Sequence, residues 1–344
     1  MDRRLAVYSG SHLVVDFACF FVLKGCFSAS TSGLTLGVGF LLYNLIAFAL
    51  QAPLGYAVDK IRVRPFVLTV TGSLLVAVGV LLQVAPWAAV VVCASGNALF
   101  HLGGGIDSLA NARGRYTRPG VFISFGALGV VAGTWTGSQQ WLPAWTVVVI
   151  VLCCVGLQLL VRESVPHQTS AVFRLAPAPV TRGDIAILLL MLVIVVRALG
   201  GLLVDTPWKT GVTLTTVAAA CVFAGKFVGG MLADRFGARN IVVVSLAVSA
   251  PLLTIWSGNV VAACMGLFCF NIMTSVTLVA IASRLPDNPG FAFGLTTLAL
   301  FIGATIPMVM LISPSVASWM LWALIAVALV CGALTTSNHK EVVA

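Results

Sequence analysis

The sequence predicts an all-α polytopic membrane protein of twelve transmembrane helices in two pseudo-symmetric six-helix halves. Three observations carry that expectation. The chain is 60% hydrophobic and only 8% charged, with a mean hydropathy of +1.09, which excludes a soluble core as its main body. Apolar runs of about twenty residues, the length that crosses a hydrocarbon layer, recur from end to end. A short charged motif also appears twice, about half a chain apart.

Length and punctuation place the first six spans at 5–27, 34–57, 65–85, 87–110, 119–140 and 143–161. The second six fall at 184–204, 212–233, 240–257, 260–283, 290–312 and 315–336. The breaks carry turn chemistry: Ala85-Pro86, Leu142-Pro143, Pro286-Asp287-Asn288-Pro289 and Ser313-Pro314. The first run has the basic start of a signal peptide, but His12, Asp16 and Lys24 interrupt it and no small-residue cleavage site follows, so it reads as a retained span. Residues 163–183, rich in proline and carrying Arg174 and Arg182, are long enough to link the halves. The expected organisation is therefore 1–162, a cytoplasmic linker at 163–183, and 184–344.

Orientation follows from the basic residues. Arg3, Arg4, Lys60, Arg62, Arg64, Arg113, Arg115, Arg118, Arg162, Arg174, Arg182, Arg235, Arg239, Arg284 and Lys340 all fall on one side if both termini are cytoplasmic. The net charge of +9 is thus a topology signal beside an anionic bilayer, in a plasma (inner) membrane, and does not argue for nucleic acid. Lys24, Arg197, Lys209 and Lys226 break the pattern. The nine cysteines lie in or at the ends of apolar runs without a CxxC pair, so they read as small hydrophobes. No resident metal or cofactor is implied.

The repeated motif is Gly55-x-x-x-Asp59-Lys60-x-Arg62-x-Arg64 after the second span and Gly230-x-x-x-Asp234-Arg235-x-Gly237-x-Arg239 after the eighth. The two aspartates lie 175 residues apart, 234 less 59. The glycine permits close helix approach, the aspartate can accept from backbone or basic groups, and the cations pin the turn to the cytoplasm. Such a turn suits a breakable latch. The pair resembles the signature loop of the major facilitator superfamily, whose halves are related by an axis along the membrane normal. The first copy departs from the family pattern at Arg62, where glycine is usual, and at Val63, where a base is usual; a looser first latch is the expectation.

That resemblance implies a central cavity lined by the first, fourth, seventh and tenth helices, where costly polar groups should collect. They do: His12 and Asp16, then Asn97 and His101, then Arg197, then Asn271. Asp16 lies about eleven residues from the cytoplasmic end of its span, His101 about ten and Arg197 about thirteen, which at roughly 1.5 Å per residue puts all three near mid-bilayer. His12 and Asp16, four apart, share one helical face.

Asp16 with His12, joined by His101, is expected to bind and release a proton as the cavity alternates. A purely structural hydrogen-bonding role is the alternative. Arg197 cannot shed its proton and needs an anion or carbonyl, either on a substrate or, in the empty site, on Asp16. Asn97, Asn271 and Lys24 join it as candidate substrate contacts. Asp107 is expected to pair with a basic residue such as Arg113 or Arg115, and Lys226 to snorkel or join the latch.

SGSHLVVDF together with FHLGGGID is similar to the fosmidomycin-resistance branch of the superfamily. There His101 would stand where many proton-coupled members have arginine, with Gly105 as the following glycine. The resemblance implies proton-driven efflux, by antiport, of a drug or metabolite. The ladder Gly129-x-x-x-Gly133-x-x-x-Gly137 in the fifth span signals close packing, but the Gly-Pro step common in antiporters is missing. A divalent transition-metal transporter using His12, Asp16 and His101 is the alternative. An enzyme is not expected: the sequence holds no HExxH, GxSxG or GxxxxGK[ST] motif. Protons, a small organic, anionic solute and the lipid bilayer are the expected partners.

Overall fold

The structure, a computed structural model, describes residues 2–27, 33–162, 181–204, 206–309 and 314–337. Residues 163–180 of the expected linker, with Arg174, and Lys340 near the C-terminus lie outside the described residues. The described chain is all helical. Its membrane helices are helix 1 (Arg3–Phe27), helix 2 (Thr35–Ile61), helix 3 (Pro65–Leu81), helix 4 (Pro86–Ala110), helix 5 (Thr117–Gln139) and helix 6 (Ala144–Leu160). They continue with helix 7 (Arg182–Leu203), helix 8 (Gly211–Phe236), helix 9 (Ala238–Thr254), helix 10 (Val260–Ala282), helix 11 (Pro289–Val309) and helix 12 (Pro314–Thr335). Every one falls within a few residues of a span expected from length and punctuation.

Among the described residues, nine helices are long and apolar enough to cross a membrane outright; helices 3, 6 and 9 are 17 residues each, about 25 Å of rise. These three turn apolar side chains outward, among them Leu74, Leu81, Leu157, Leu160 and Val244. In water that would be an error; in lipid it is the favoured surface.

The packing repeats itself with an offset of six. Helix 1 packs on helices 4 and 5, and helix 3 on helices 4 and 6, just as helix 7 packs on 10 and 11, and helix 9 on 10 and 12. Between the two sets the seam is made chiefly by helix 2 on helix 11 and helix 5 on helix 8. These two contacts are counterparts under the same offset.

Small residues set the closest approaches. A methyl group at Gly129 would run into the Leu13 carbonyl, one at Gly133 into that of Phe17, and one at Gly137 into that of Phe21, so the ladder seats helix 5 directly on the backbone of helix 1. The run Gly103-Gly104-Gly105 does the same in three directions, against Pro65, Phe122 and Phe293. Helix 4 is thereby enclosed on all of those sides.

Two local irregularities have clear causes. Pro53 can give no N–H to the preceding turn, and its ring crowds the carbonyl of residue 49. The chain absorbs this with a π-helical turn at Leu45–Ala49, where the Leu50 amide reaches the Leu45 carbonyl at 3.1 Å. After helix 2 the chain reverses through Arg62 at φ 56°, and after helix 8 through Gly237 at φ 88°. Arg62 therefore takes a left-handed conformation at the position where its counterpart is glycine.

Overpacking should separate these roles. Gly133→Val is expected to destabilise by about 1–3 kcal/mol, read as a lowered unfolding temperature in detergent, whereas Gly156→Val, with nothing within 4 Å of the added carbon, should leave it unchanged. In the turns, Gly237→Ala forces a side chain to φ 88°, ψ 138°, a conformation costing about 1–3 kcal/mol; Arg62→Gly relieves the left-handed cost of about 1–2 kcal/mol and should hold or raise the unfolding temperature.

Candidate functional site

At the end of the bundle that carries the basic turns, each repeated motif closes on the opposite set of helices. Gly55 lies so close to helix 11 that a methyl there would meet the Gly290 carbonyl. One turn on, Asp59 accepts from the Gly290 amide at 3.0 Å and the Phe291 amide at 2.8 Å. Gly230 likewise abuts the Tyr116 carbonyl. Asp234 accepts from the Tyr116 amide at 2.8 Å, the Thr117 amide at 3.0 Å and the Thr117 hydroxyl at 2.5 Å. Each aspartate thus caps the N-terminus of a helix in the other set, where free amides and the helix dipole favour a negative charge. Lys60, Arg64, Arg235 and Arg239 lie within five residues of these aspartates along the chain, and Arg235 rests over the Phe236 ring.

A second network braces the same end. Asp107 has basic partners as expected, but they are Arg118 at 2.9 Å and Arg4 at 3.3 Å, not Arg113 or Arg115. Arg118 begins helix 5 and also reaches Asp2, and Asp2 in turn accepts from the Leu5 amide at 2.8 Å. The partial burial of Asp2 would raise its pKa, but the Leu5 amide and the Arg118 and Arg4 charges outweigh it and hold the carboxyl below the usual carboxylate range.

Between the two sets lies a cavity of about 460 Å³ lined from helices 1, 2, 4, 5, 7, 8, 10 and 11, a size suited to a small molecule. Its walls are mainly apolar, with Phe40, Phe48, Val130, Ile194, Phe293 and Phe301 prominent. Three buried polar groups meet on one side. His12 Nε2 lies 3.3 Å from Asp16 Oδ2, and His101 Nε2 lies 3.7 Å from Asp16 Oδ1. The two imidazoles meet edge to face at 4.4 Å.

The remaining ring nitrogens fix the chemistry. His12 Nδ1 donates to the Phe122 carbonyl at 2.8 Å and His101 Nδ1 to the Asn97 carbonyl at 2.9 Å, since a carbonyl can only accept. Each Nε2 is therefore turned toward Asp16. A carboxylate only accepts, and so does the Nε2 of a neutral imidazole protonated at Nδ1. The contact between His12 and Asp16 consequently calls for one proton, held by either partner. Gly126 makes the contact possible, because any β-carbon there would collide with both Asp16 Oδ2 and His12.

Asn97 and Asn271 do not line the cavity but hold residues that do. Asn97 Nδ2 donates to Asp16 Oδ1 at 2.8 Å, and Asn271 Oδ1 accepts from Arg197 Nη1 at 3.4 Å. Arg197 lines the cavity, and its Nε is buried without a hydrogen-bond partner among the described residues. Its neighbour is Asn271 rather than the Asp16 expected for the empty site. Lys24 lies near the end of helix 1, eight residues beyond Asp16 and outside the cavity lining. Lys226, expected to snorkel or to join the latch, instead projects from helix 8 into the cavity, within electrostatic range of Arg197 and Asp16. Lys226 and Gly126 escape a search confined to helices 1, 4, 7 and 10, because they belong to helices 8 and 5. The signal for Lys226 was present: a cation deep in a span with no acidic residue on its own helix before Asp234.

Removing a cap strands helix-terminal amides. Asp234→Ala is expected to cost about 1.5–3 kcal/mol, the usual worth of hydrogen bonds to a charged group, measured as a lowered unfolding temperature; Asp234→Asn, which keeps one acceptor oxygen, should cost less.

No protein-family model matches the sequence, and no curated protein matches it. Solved structures do. The chain is similar to FucP, a major facilitator superfamily transporter in its outward conformation, at 13% identity and a TM-score of 0.70, covering 97% of this chain and 98% of that one. It is equally similar to a single-substitution variant of the E. coli fucose:proton symporter FucP, at 14% identity, TM-score 0.70 and the same coverage. A bacterial homologue of the iron transporter ferroportin, in an outward-facing state, aligns at 13% identity and a TM-score of 0.63, again over 97% of this chain and 98% of that one. The chain is a multi-pass membrane protein with the fold of major facilitator transporters.

Proposed function

We propose that this protein is a proton-coupled secondary transporter that moves a small organic anion by alternating access, with export favoured. The halves 1–162 and 184–344 rock about the central layer, and both termini and the basic turns face the cytoplasm of a plasma (inner) membrane. The observation that carries the reading is the one-proton contact between buried His12 and Asp16, placed on the same cavity as Arg197. A proton there changes the charge of a site that a bound anion also feels, so occupancy of one biases occupancy of the other.

The geometry supplies a route. The aspartate caps at Gly290 and Thr117 close the cytoplasmic end, while the cavity walls run on toward Leu202 and Ala304, away from the turns. With the basic turns on the cytoplasmic side, this arrangement faces outward. Inward opening has to break both caps, and His12 is bonded to the Phe122 carbonyl, five residues along helix 5 from the Thr117 cap. Proton state and latch therefore act on one helix.

A metal-ion reading has its own support. The ligand atoms of His12, Asp16 and His101 lie within 4.8 Å of one another, wider than the spacing of about 3.4 Å implied by metal–nitrogen bonds near 2.1 Å, so an ion would have to draw the three groups together. Against it stand Arg197 and Lys226 on the same cavity, which repel a bare divalent cation.

Proteoliposome flux decides between them. Asp16→Asn is expected to abolish transport driven by a pH gradient while preserving solute binding, and Arg197→Gln to weaken binding about 10- to 100-fold. Flux of zinc or manganese, lost in His101→Ala and indifferent to organic anions, would instead establish the metal reading.

A further inference from the structure

Neither the His12, Asp16 and His101 cluster nor the latch uses Lys226. Its ammonium lines the cavity, and among the described residues it has no hydrogen bond or ion pair. Arg197 is nearly as solitary, with its long contact to Asn271 and its unpartnered Nε. Among the described residues the one carboxylate on the cavity, Asp16, is already engaged by His12, Asn97 and His101.

Charge can be counted from this. The His12 and Asp16 pair with its single proton is neutral, and His101 protonated only at Nδ1 is neutral, which leaves on the same cavity Arg197 as a fixed positive charge and Lys226 as an amine that a nearby negative charge holds in its ammonium form. In surroundings this apolar, an unmatched charge is costly. A singly charged solute satisfies one of the two and leaves the other unmatched. A doubly charged solute satisfies both.

We propose that Lys226 is a second substrate-binding residue and that the transported solute is a dianion on an apolar frame, carrying either one doubly ionised group or two acidic groups. The proposal rests on the organic-anion reading above and narrows it. The apolar frame follows from the aromatic and aliphatic walls, with Phe40, Phe48 and Phe301 among the lining residues.

The test uses the purified full-length protein and two matched pairs of probes, phenylphosphonate against benzenesulfonate and phthalate against benzoate, at about pH 8, where a phosphonate is doubly ionised. Binding is read by calorimetry and by thermal shift. In the wild type each dianion is expected to bind at least about tenfold tighter than its singly charged partner. Lys226→Gln should erase that preference by weakening the dianions far more than benzenesulfonate and benzoate, and Lys226→Arg should restore it. The pair showing the larger ratio identifies one doubly ionised group or two separate ones. Equal binding of dianions and monoanions by the wild type overturns the proposal, as does a preference that survives in Lys226→Gln; both leave the organic-anion reading standing. Failure of all four anions to bind the wild type, or binding indifferent to Arg197→Gln, brings down that reading and the proposal together.

Discussion

An aspartate reaching across the seam to cap a helix of the opposite set is the contact on which the closed end of this molecule depends. Its force comes from the amides at the start of a helix, which have no partner within that helix. Its precondition is steric. Asp59 reaches Gly290 and Phe291, and Asp234 reaches Tyr116 and Thr117, because Gly55 and Gly230 one turn earlier let backbone meet backbone. Larger residues at these glycines would hold the helices apart and leave each aspartate short of its amides. The strength is moderate, and both contacts can be reversed.

The same economy of space governs the centre. Among the described residues no lysine or arginine comes within ion-pair distance of the buried Asp16; two imidazoles and an asparagine hold it. Such an arrangement can hold a proton where a lysine or arginine would make a fixed pair of charges, because an imidazole can itself give the proton up. Gly126 provides the room, and the carbonyls of Phe122 and Asn97 fix which face of each ring is turned inward.

Much of this was legible in the residues. Apolar length with Pro and Gly punctuation located the helices, since a bilayer tolerates few alternatives. The doubled Gly-x-x-x-Asp motif announced two close approaches with an acceptor beside each. Polar residues at mid-span drew His12, Asp16, His101 and Arg197 into one layer. What escaped was tertiary. The partners of Asp107 come from the starts of helices 1 and 5, and no spacing rule links Arg4 to Arg118. Lys226 lies one turn before Gly230, so its neighbourhood in sequence spoke for the latch while its side chain faces the cavity. Arg62 adopts a left-handed turn that its identity disfavours, a cost that only its pseudo-symmetric counterpart, Gly237, explains.

The glycine ladder between helices 1 and 5 has a mechanical meaning. With backbone seated on backbone at Gly129, Gly133 and Gly137, the two helices lack the soft side-chain layer that elsewhere lets neighbours slide. They form a stiff beam with His12 and Asp16 along its length and Thr117 at one tip. In the proposed transport cycle, a tilt that relieves the carboxylate at the middle of such a beam would be delivered, magnified by the lever arm, at the tip that Asp234 grips.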